Sequence, residues 1–174
     1  MPPRSSPRRS VIRTPHAEPG MRIGLLGGSF NPPHEAHLLI TETALKRLGL
    51  AQVWWLVTPG NPLKSRAELA PLDERIAAAR ALADDARIIV TDFEKSLAST
   101  YTASTLAFLA ARYPRAEFVW LMGADNLAQV HRWRAWRSIF AAMPVVVVDR
   151  PGWRLKAMAS PAAKAFGPAY IPEG

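Results

Sequence analysis

The sequence predicts a single α/β domain built on a Rossmann-like, doubly wound parallel sheet of about five strands. Short apolar runs alternate with helix-like stretches along the chain, as a parallel sheet with right-handed crossovers requires. The chain has 174 residues, of which 49% are hydrophobic, so it is long enough for one domain with a sizeable core.

The first strand and the turn after it are the most informative part of the chain. Residues 21–26 form a brief apolar run, and the glycine pair at 27–28 suits a turn where the backbone approaches a ligand closely. Asn31 is a good N-cap and Pro32 fits the first helical position. These signals predict a strand, a glycine turn and a helix that runs to about Leu48.

The remaining elements follow from short apolar runs and from helix stop signals. Further strands are predicted over residues 53–57, 87–90, 117–122 and 145–148, the last of which is all valine. Helices are predicted over residues 72–83 and 102–112, the second ending before Pro114. One short helix is expected within residues 153–174.

Two histidines at the start of the first helix indicate phosphate binding. His34 and His37 are spaced i and i+3, so they share one face beside unpaired backbone N–H groups and the positive end of the helix dipole. A zinc protease helix needs HExxH with an i, i+4 spacing, which this chain lacks. The phosphate loop GxxxxGK[ST] and the dinucleotide pattern GxGxxG are also absent. We therefore expect an anion site and no protein-bound metal.

These residues carry a resemblance to a known family. Residues 27–37 read GGSFNPPHEAH and resemble the GxFxPxHxGH signature of the nucleotidyltransferase superfamily, closest to bacterial nicotinate-nucleotide adenylyltransferases. Further segments match in the same order: WWLVTPGNPLK at 54–64, STYTASTL at 99–106, and MGADNL at 122–127 with Trp133. The resemblance covers roughly residues 21–152.

The resemblance implies adenylyl transfer from ATP to nicotinate mononucleotide, giving deamido-NAD and pyrophosphate, a step of NAD biosynthesis. Mg²⁺ is expected on the ATP phosphates, and His37 and His34 are the expected catalytic residues. Expected ATP contacts are Gly27, Gly28, Ser29, Phe30, His34, His37, Gly123 and Asp125. Expected substrate contacts are Lys64, Asn61, Tyr101, Thr102 and Trp133.

The resemblance also implies particular roles for some of these residues. Asp125 would contact a ribose, although a carboxylate there could also cap the next helix. Backbone N–H groups near Tyr101 and Thr102 would recognise the substrate carboxylate. Trp133 would stack on the pyridine ring, whereas Trp136 is interpreted as a packing residue.

The chain departs from the family pattern in three places. Ala36 stands where the signature has glycine, and Ser104 replaces the usual aspartate of SYTxDTL. The C-terminal ISSTxIR-like segment is missing after Arg150. Two alternatives therefore stay open: a nucleotide-binding homologue with impaired catalysis, or another nucleotidyltransferase such as pantetheine-phosphate adenylyltransferase. The latter usually has threonine at the first histidine position and lacks the GADN–Trp segment.

Composition completes the expectations for the rest of the chain. Residues 1–20 contain four arginines and a single acidic residue, so they are interpreted as a disordered basic tail ahead of a domain over 21–174. The net charge of +8 invites nucleic-acid binding, but no RNA-binding module is recognisable. There is no cysteine and no apolar run of the ~20 residues that span a bilayer. We expect a cytoplasmic protein with no membrane partner, and a homo-oligomer stays open.

Overall fold

Five parallel strands form one sheet in the order β3-β2-β1-β4-β5. The computed structural model describes residues 11–60 and 66–167. The strands are β1 (Arg22–Gly28), β2 (Gln52–Val57), β3 (Ile88–Thr91), β4 (Glu117–Gly123) and β5 (Val145–Val148). This order confirms the predicted doubly wound sheet, and each strand lies within two residues of its predicted bounds.

Seven α-helices connect or follow these strands in the described part of the chain. They are α1 (Glu35–Leu48), α2 (Leu72–Leu82), α3 (Thr102–Arg112), α4 (Ala124–Leu127), α5 (Trp136–Ala142), α6 (Arg154–Met158) and α7 (Pro161–Phe166). Helix α3 has the predicted bounds. Helices α4 and α5 were not predicted, and two short helices replace the single one expected near the end.

The core lies on both faces of the sheet because neighbouring residues of a strand point in opposite directions. Leu25 and Trp54 pack on one face with Leu106 of α3, and Leu26 and Trp55 pack on the other with the side chains of α1 and α2. All five of these side chains are buried. The sheet is therefore covered by helices on both sides, as a parallel sheet requires.

Helix α1 begins later than the sequence predicts. His34 is the N-cap: its ring accepts a hydrogen bond from the Ala36 backbone N–H at 3.3 Å. The predicted cap, Asn31, instead donates to the Glu68 carbonyl at 2.8 Å and accepts from the Ala70 N–H at 3.0 Å. The Asn31 side chain holds the loop before α2, so it is not available for a capping role.

The second half of the expected disordered tail lies against the domain. Over residues 11–20 there is no helix or strand, but Ile12 and Ala17 pack against the core. The Tyr113 hydroxyl donates to the Pro15 carbonyl at 2.8 Å, and the Gly20 N–H donates to the Arg115 carbonyl at 2.8 Å. This stretch is therefore held, without helix or strand, at the end of the sheet where β4 begins. Residues 1–10 lie outside the described residues.

Candidate active site

The predicted site residues Gly27, Gly28 and Gly123 lie where β1 and β4 end. Thr58, which follows β2, and Asp92, which follows β3, lie at the same end of the sheet. Strands β1 and β4 are neighbours in the sheet. From β1 the chain continues to β2 on one side, and from β4 it continues to β5 on the other side. This is the switch point where open α/β sheets bind ligands.

The two histidines are fixed by reciprocal hydrogen bonds at the start of α1. The His34 backbone N–H donates to His37 Nδ1 at 3.1 Å, and the Ala36 N–H donates to His34 Nδ1 at 3.3 Å. Since each Nδ1 is an acceptor, each neutral ring carries its proton on Nε2. The two ring centroids are 4.2 Å apart. The pair therefore presents two Nε2–H donors beside a helix N-terminus, which suits phosphate oxygens.

The His37 ring is supported by stacked aromatic side chains. Phe30 stacks on it with ring centroids 4.3 Å apart, and Trp55 stacks behind Phe30 at 5.1 Å. Phe30 is 1% exposed, so its ring lies behind the site and supports His37, and its expected contact with ATP stays a prediction. The pKa of His37 is lowered to about 4, mainly by burial and also by the charges of His34 and Arg150 nearby. His37 is therefore neutral near pH 7 in the free protein.

Asp125 sits in an ion pair that the sequence did not reveal. Arg150 Nη1 donates to Asp125 Oδ2 at 2.8 Å, and both side chains are partly exposed. A Cβ added to Gly123 would lie 2.5 Å from Asp125 Oδ1 and 3.1 Å from Arg150 Cδ. Glycine at 123 is therefore required for this pair to form. Asp125 lies in the first turn of α4, where no side-chain cap is formed.

A cavity joins the expected ATP and substrate residues. Its lining includes Gly27, Gly28, Thr58, Thr102, Trp120 and Trp133. Arg134, which also lines it, lies over the Tyr101 ring at 5.1 Å, so Tyr101 stands at its margin. A Cβ added to Gly28 would be 3.9 Å from His37 Nε2. A ligand that fills the cavity can therefore reach the histidine pair. Trp136 packs edge-on against Phe140 and Phe166, in the packing role expected of it.

Arg75 ties together the loops that surround the site. Its guanidinium donates to the carbonyls of Ser29 at 2.8 Å, Thr58 at 2.7 Å and Ala70 at 2.8 Å. The residue is 3% exposed, and burial lowers its pKa. Ser29, an expected ATP contact, is thus bound through its carbonyl from behind.

Two expected substrate contacts fall outside the described part of the chain, and two arginines beside the site were not predicted. Asn61 and Lys64 lie outside the described residues. Arg75 and Arg150 were not predicted to belong to the site. The sequence pattern could have indicated both arginines. Arg75 shares the buried face of its helix with Ile76 and Ala79, and Arg150 comes two residues after the end of a strand. The Ala36 backbone is helical, so its methyl group does not disturb the turn.

Fold and site together are those of a nucleotidyltransferase. A family model described as cytidylyltransferase-like matches residues 25–170. A “Probable nicotinate-nucleotide adenylyltransferase” of Methylorubrum extorquens is 60% identical over 153 residues, which is 88% of this chain and 83% of that protein. A protein of the same description from Agrobacterium fabrum is 58% identical over 88% of this chain and 82% of its own length. The chain therefore belongs to the nicotinate-nucleotide adenylyltransferase family.

A solved structure supports the fold. Plasmodium falciparum nicotinic acid mononucleotide adenylyltransferase complexed with NaAD matches with a TM-score of 0.62 at 17% identity, over 83% of this chain and 82% of that one. At this identity the likeness concerns the fold alone. Within the described residues, no helix has both the length and the apolar character needed to cross a membrane.

Proposed function

We propose that this chain transfers the adenylyl group of ATP to nicotinate mononucleotide. An oxygen of the 5′-phosphate attacks the α-phosphorus of ATP, the bond from that phosphorus to the bridging oxygen breaks, and pyrophosphate leaves. The product is deamido-NAD, and no covalent enzyme intermediate is needed. The observation that carries the proposal is the pair of Nε2–H donors of His34 and His37 beside an aromatic cavity.

The phosphate side of the site supplies donors and positive charge. His37 and His34 would donate to the phosphates, and the α1 N-terminus adds the positive end of its dipole. Arg150 lies close enough to lower the pKa of His37, so its charge also reaches the phosphates. Asp125 would accept hydrogen bonds from a ribose. The glycines at 27, 28 and 123 and the Ser29 backbone would leave room for ATP.

The cavity would receive the pyridine ring. Trp133 offers an aromatic face, and the backbone N–H groups at Tyr101 and Thr102 lie at the start of α3, where a carboxylate is favoured. Asn61 and Lys64 would contact the substrate phosphate. Mg²⁺ would be carried on the ATP phosphates, where it neutralises charge. We place this reaction in the cytoplasm, where ATP is available, with a homo-oligomer left open.

The test is pyrophosphate release by the purified chain with magnesium-ATP. Nicotinate mononucleotide and nicotinamide mononucleotide are compared at equal concentration, and ATP binding is measured separately by calorimetry. Release with the acid form supports the proposed reaction. ATP binding without release from either nucleotide would contradict it and would favour a nucleotide-binding homologue with impaired catalysis.

A further inference from the structure

Glu94 is a buried acid at the end of the cavity. It lies in the short 3₁₀ turn Phe93–Ser96 after β3 and is 6% exposed. Its Oε1 accepts a hydrogen bond from the Thr105 hydroxyl at 3.0 Å, whereas its Oε2 is buried without a hydrogen-bond partner among the described residues. A buried carboxyl oxygen without a partner is costly, so a ligand or a proton is expected there.

A second polar group without a partner lines the same cavity. Trp120 is 2% exposed, and its indole Nε1–H has no acceptor in the described part of the chain. Thr58, which is also in the lining, donates its hydroxyl to the Gly60 carbonyl at 2.7 Å. Two buried polar atoms without a described partner, one donor and one carboxyl oxygen, therefore belong to residues that line the cavity. We expect a polar substituent on a ring that stacks at Trp133 to meet them.

The surroundings of Glu94 determine when it is charged. The pKa of Glu94 is raised to about 7, chiefly because burial disfavours its charged form, and the nearby hydroxyls of Thr105 and Thr58 offset part of that rise. Around it, β1, β2, α3 and β4 contribute glycine, leucine, threonine and tryptophan to the cavity. The other charged residues in the described lining are Arg132 and Arg134, and arginine keeps its charge at any working pH. Glu94 is thus the lining group that changes charge near neutrality.

We propose that Glu94 is a specificity-determining residue that selects between the carboxylate and carboxamide forms of the pyridine nucleotide. Protonated, its carboxyl group donates a hydrogen bond to a substrate carboxylate. Ionised, it repels that carboxylate and accepts a hydrogen bond from a carboxamide N–H. The Trp120 Nε1–H can donate to either substituent. This inference rests on the proposed function, because it concerns the substrate of that reaction.

The experiment measures kcat/KM for both mononucleotides from pH 6 to pH 8.5 in the full chain. The quantity compared is kcat/KM for nicotinate mononucleotide divided by kcat/KM for nicotinamide mononucleotide. Titrations that affect both substrates equally, such as those of their phosphates and of the site histidines, cancel in this ratio. In the wild-type protein we expect this ratio to fall by about tenfold as the pH rises, a change equivalent to one pKa unit. In Glu94→Gln we expect a ratio that does not change with pH.

Glu42→Gln is the matched control, since Glu42 is exposed on α1 outside the cavity. It should keep the wild-type slope. Circular dichroism shows whether Glu94→Gln is folded, and the wild-type slope tests the inference independently of that variant. A wild-type ratio that is independent of pH, or an unchanged slope in folded Glu94→Gln, would overturn the inference alone. No pyrophosphate release from either nucleotide would overturn the proposed function and this inference with it.

Discussion

His37 is held in place before any substrate arrives. Its ring is stacked on Phe30, its Nδ1 accepts from the His34 N–H, and its pKa is lowered mainly by burial. A donor that is already oriented needs no reorganisation when charge develops on a phosphate. The neutral ring can also gain a proton when a polyanion binds, because nearby negative charge raises a histidine pKa. These properties suit His37 to transition-state stabilisation.

Replacing this imidazole should reduce turnover without unfolding the protein. For His37→Ala we expect kcat for pyrophosphate release to fall about 10²- to 10³-fold, as for loss of one preorganised donor. His16→Ala is the matched control, because the His16 side chain is 81% exposed and lies in the segment before β1. The control should keep wild-type turnover. Near-normal turnover in His37→Ala would remove this residue from the mechanism.

Gly27 and Gly28, the last two residues of β1, differ in how closely other side chains approach them. A Cβ on Gly27 would lie 2.5 Å from Cη2 of the buried Trp120 ring, whereas one on Gly28 would meet its nearest described neighbour, Phe30, at 3.6 Å. We expect Gly27→Ala to reduce the free energy of unfolding by about 1–3 kcal/mol, as overpacked substitutions do. Gly28→Ala should stay close to wild type. Urea denaturation of both variants checks this, and equal stabilities would contradict the close approach of Trp120 to Gly27.

At the scale of elements, Arg75 connects the turn after β1 to the loop after β2. One guanidinium binds the carbonyls of Ser29 and Thr58, and it also holds Ala70 at the entrance of α2. The expected phosphate and pyridine sides of the site meet at these two loops. We therefore expect Arg75 to act as a positioning residue, with an indirect effect on the reaction.

Removing the Arg75 guanidinium should loosen both loops. For Arg75→Met we expect a loss of about 3 kcal/mol in the free energy of unfolding, since several buried carbonyls lose their donor. We also expect KM to rise for both substrates. Arg80→Met on the same helix is exposed and should change stability by less than about 0.5 kcal/mol. Steady-state kinetics and urea denaturation of both variants provide the check. If Arg75→Met had the same KM values as Arg80→Met, the positioning role would be ruled out.

The elements differ in how well local sequence predicts them. Helix α3 was predicted to the residue because Pro114 stops it, and β5 because four valines define it. The start of α1 was misplaced because the Asn31 side chain is bound by the loop at residues 68–70. That contact joins distant parts of the chain, so no local capping rule could find it.

At the scale of the whole molecule, the pH dependence of stability reflects two buried groups with opposite effects. The pKa of Glu94 is raised from 4.5 to about 7, so its contribution to stability is complete below pH 4.5 and is lost as the pH rises through 7. The pKa of His37 is lowered from 6.5 to about 4, so stability falls as the pH falls through that interval.

Glu94→Gln separates these two effects. The glutamine carries no charge, so the Tm of the variant minus that of the wild type should rise between about pH 5 and about pH 8. His37 is present in both proteins and cancels in this difference. Thermal unfolding followed by circular dichroism gives both values. A difference that stays constant with pH would show that folding does not raise the pKa of Glu94.

The sequence predicted the sheet, its strand ends and the histidine pair because motif and periodicity are local. It did not predict the Arg150–Asp125 ion pair or the bonds of Arg75, because each joins loops that only the strand order brings together. It also did not predict that the Phe30 ring supports His37, because that contact depends on the packing of the core. The positions of the predicted site residues were thus easier to foresee than their contacts.

The amino-terminal segment has a practical consequence for handling the enzyme. Residues 11–20 contact Tyr113 and Arg115, just before β4 begins, whereas the histidines and the cavity lie where the strands end. A resin or sensor surface coupled through this segment would hold the molecule at the end opposite the histidine pair and the cavity. Nucleotides in the flowing solution would then reach an unobstructed site, and immobilised assays could use this end for attachment.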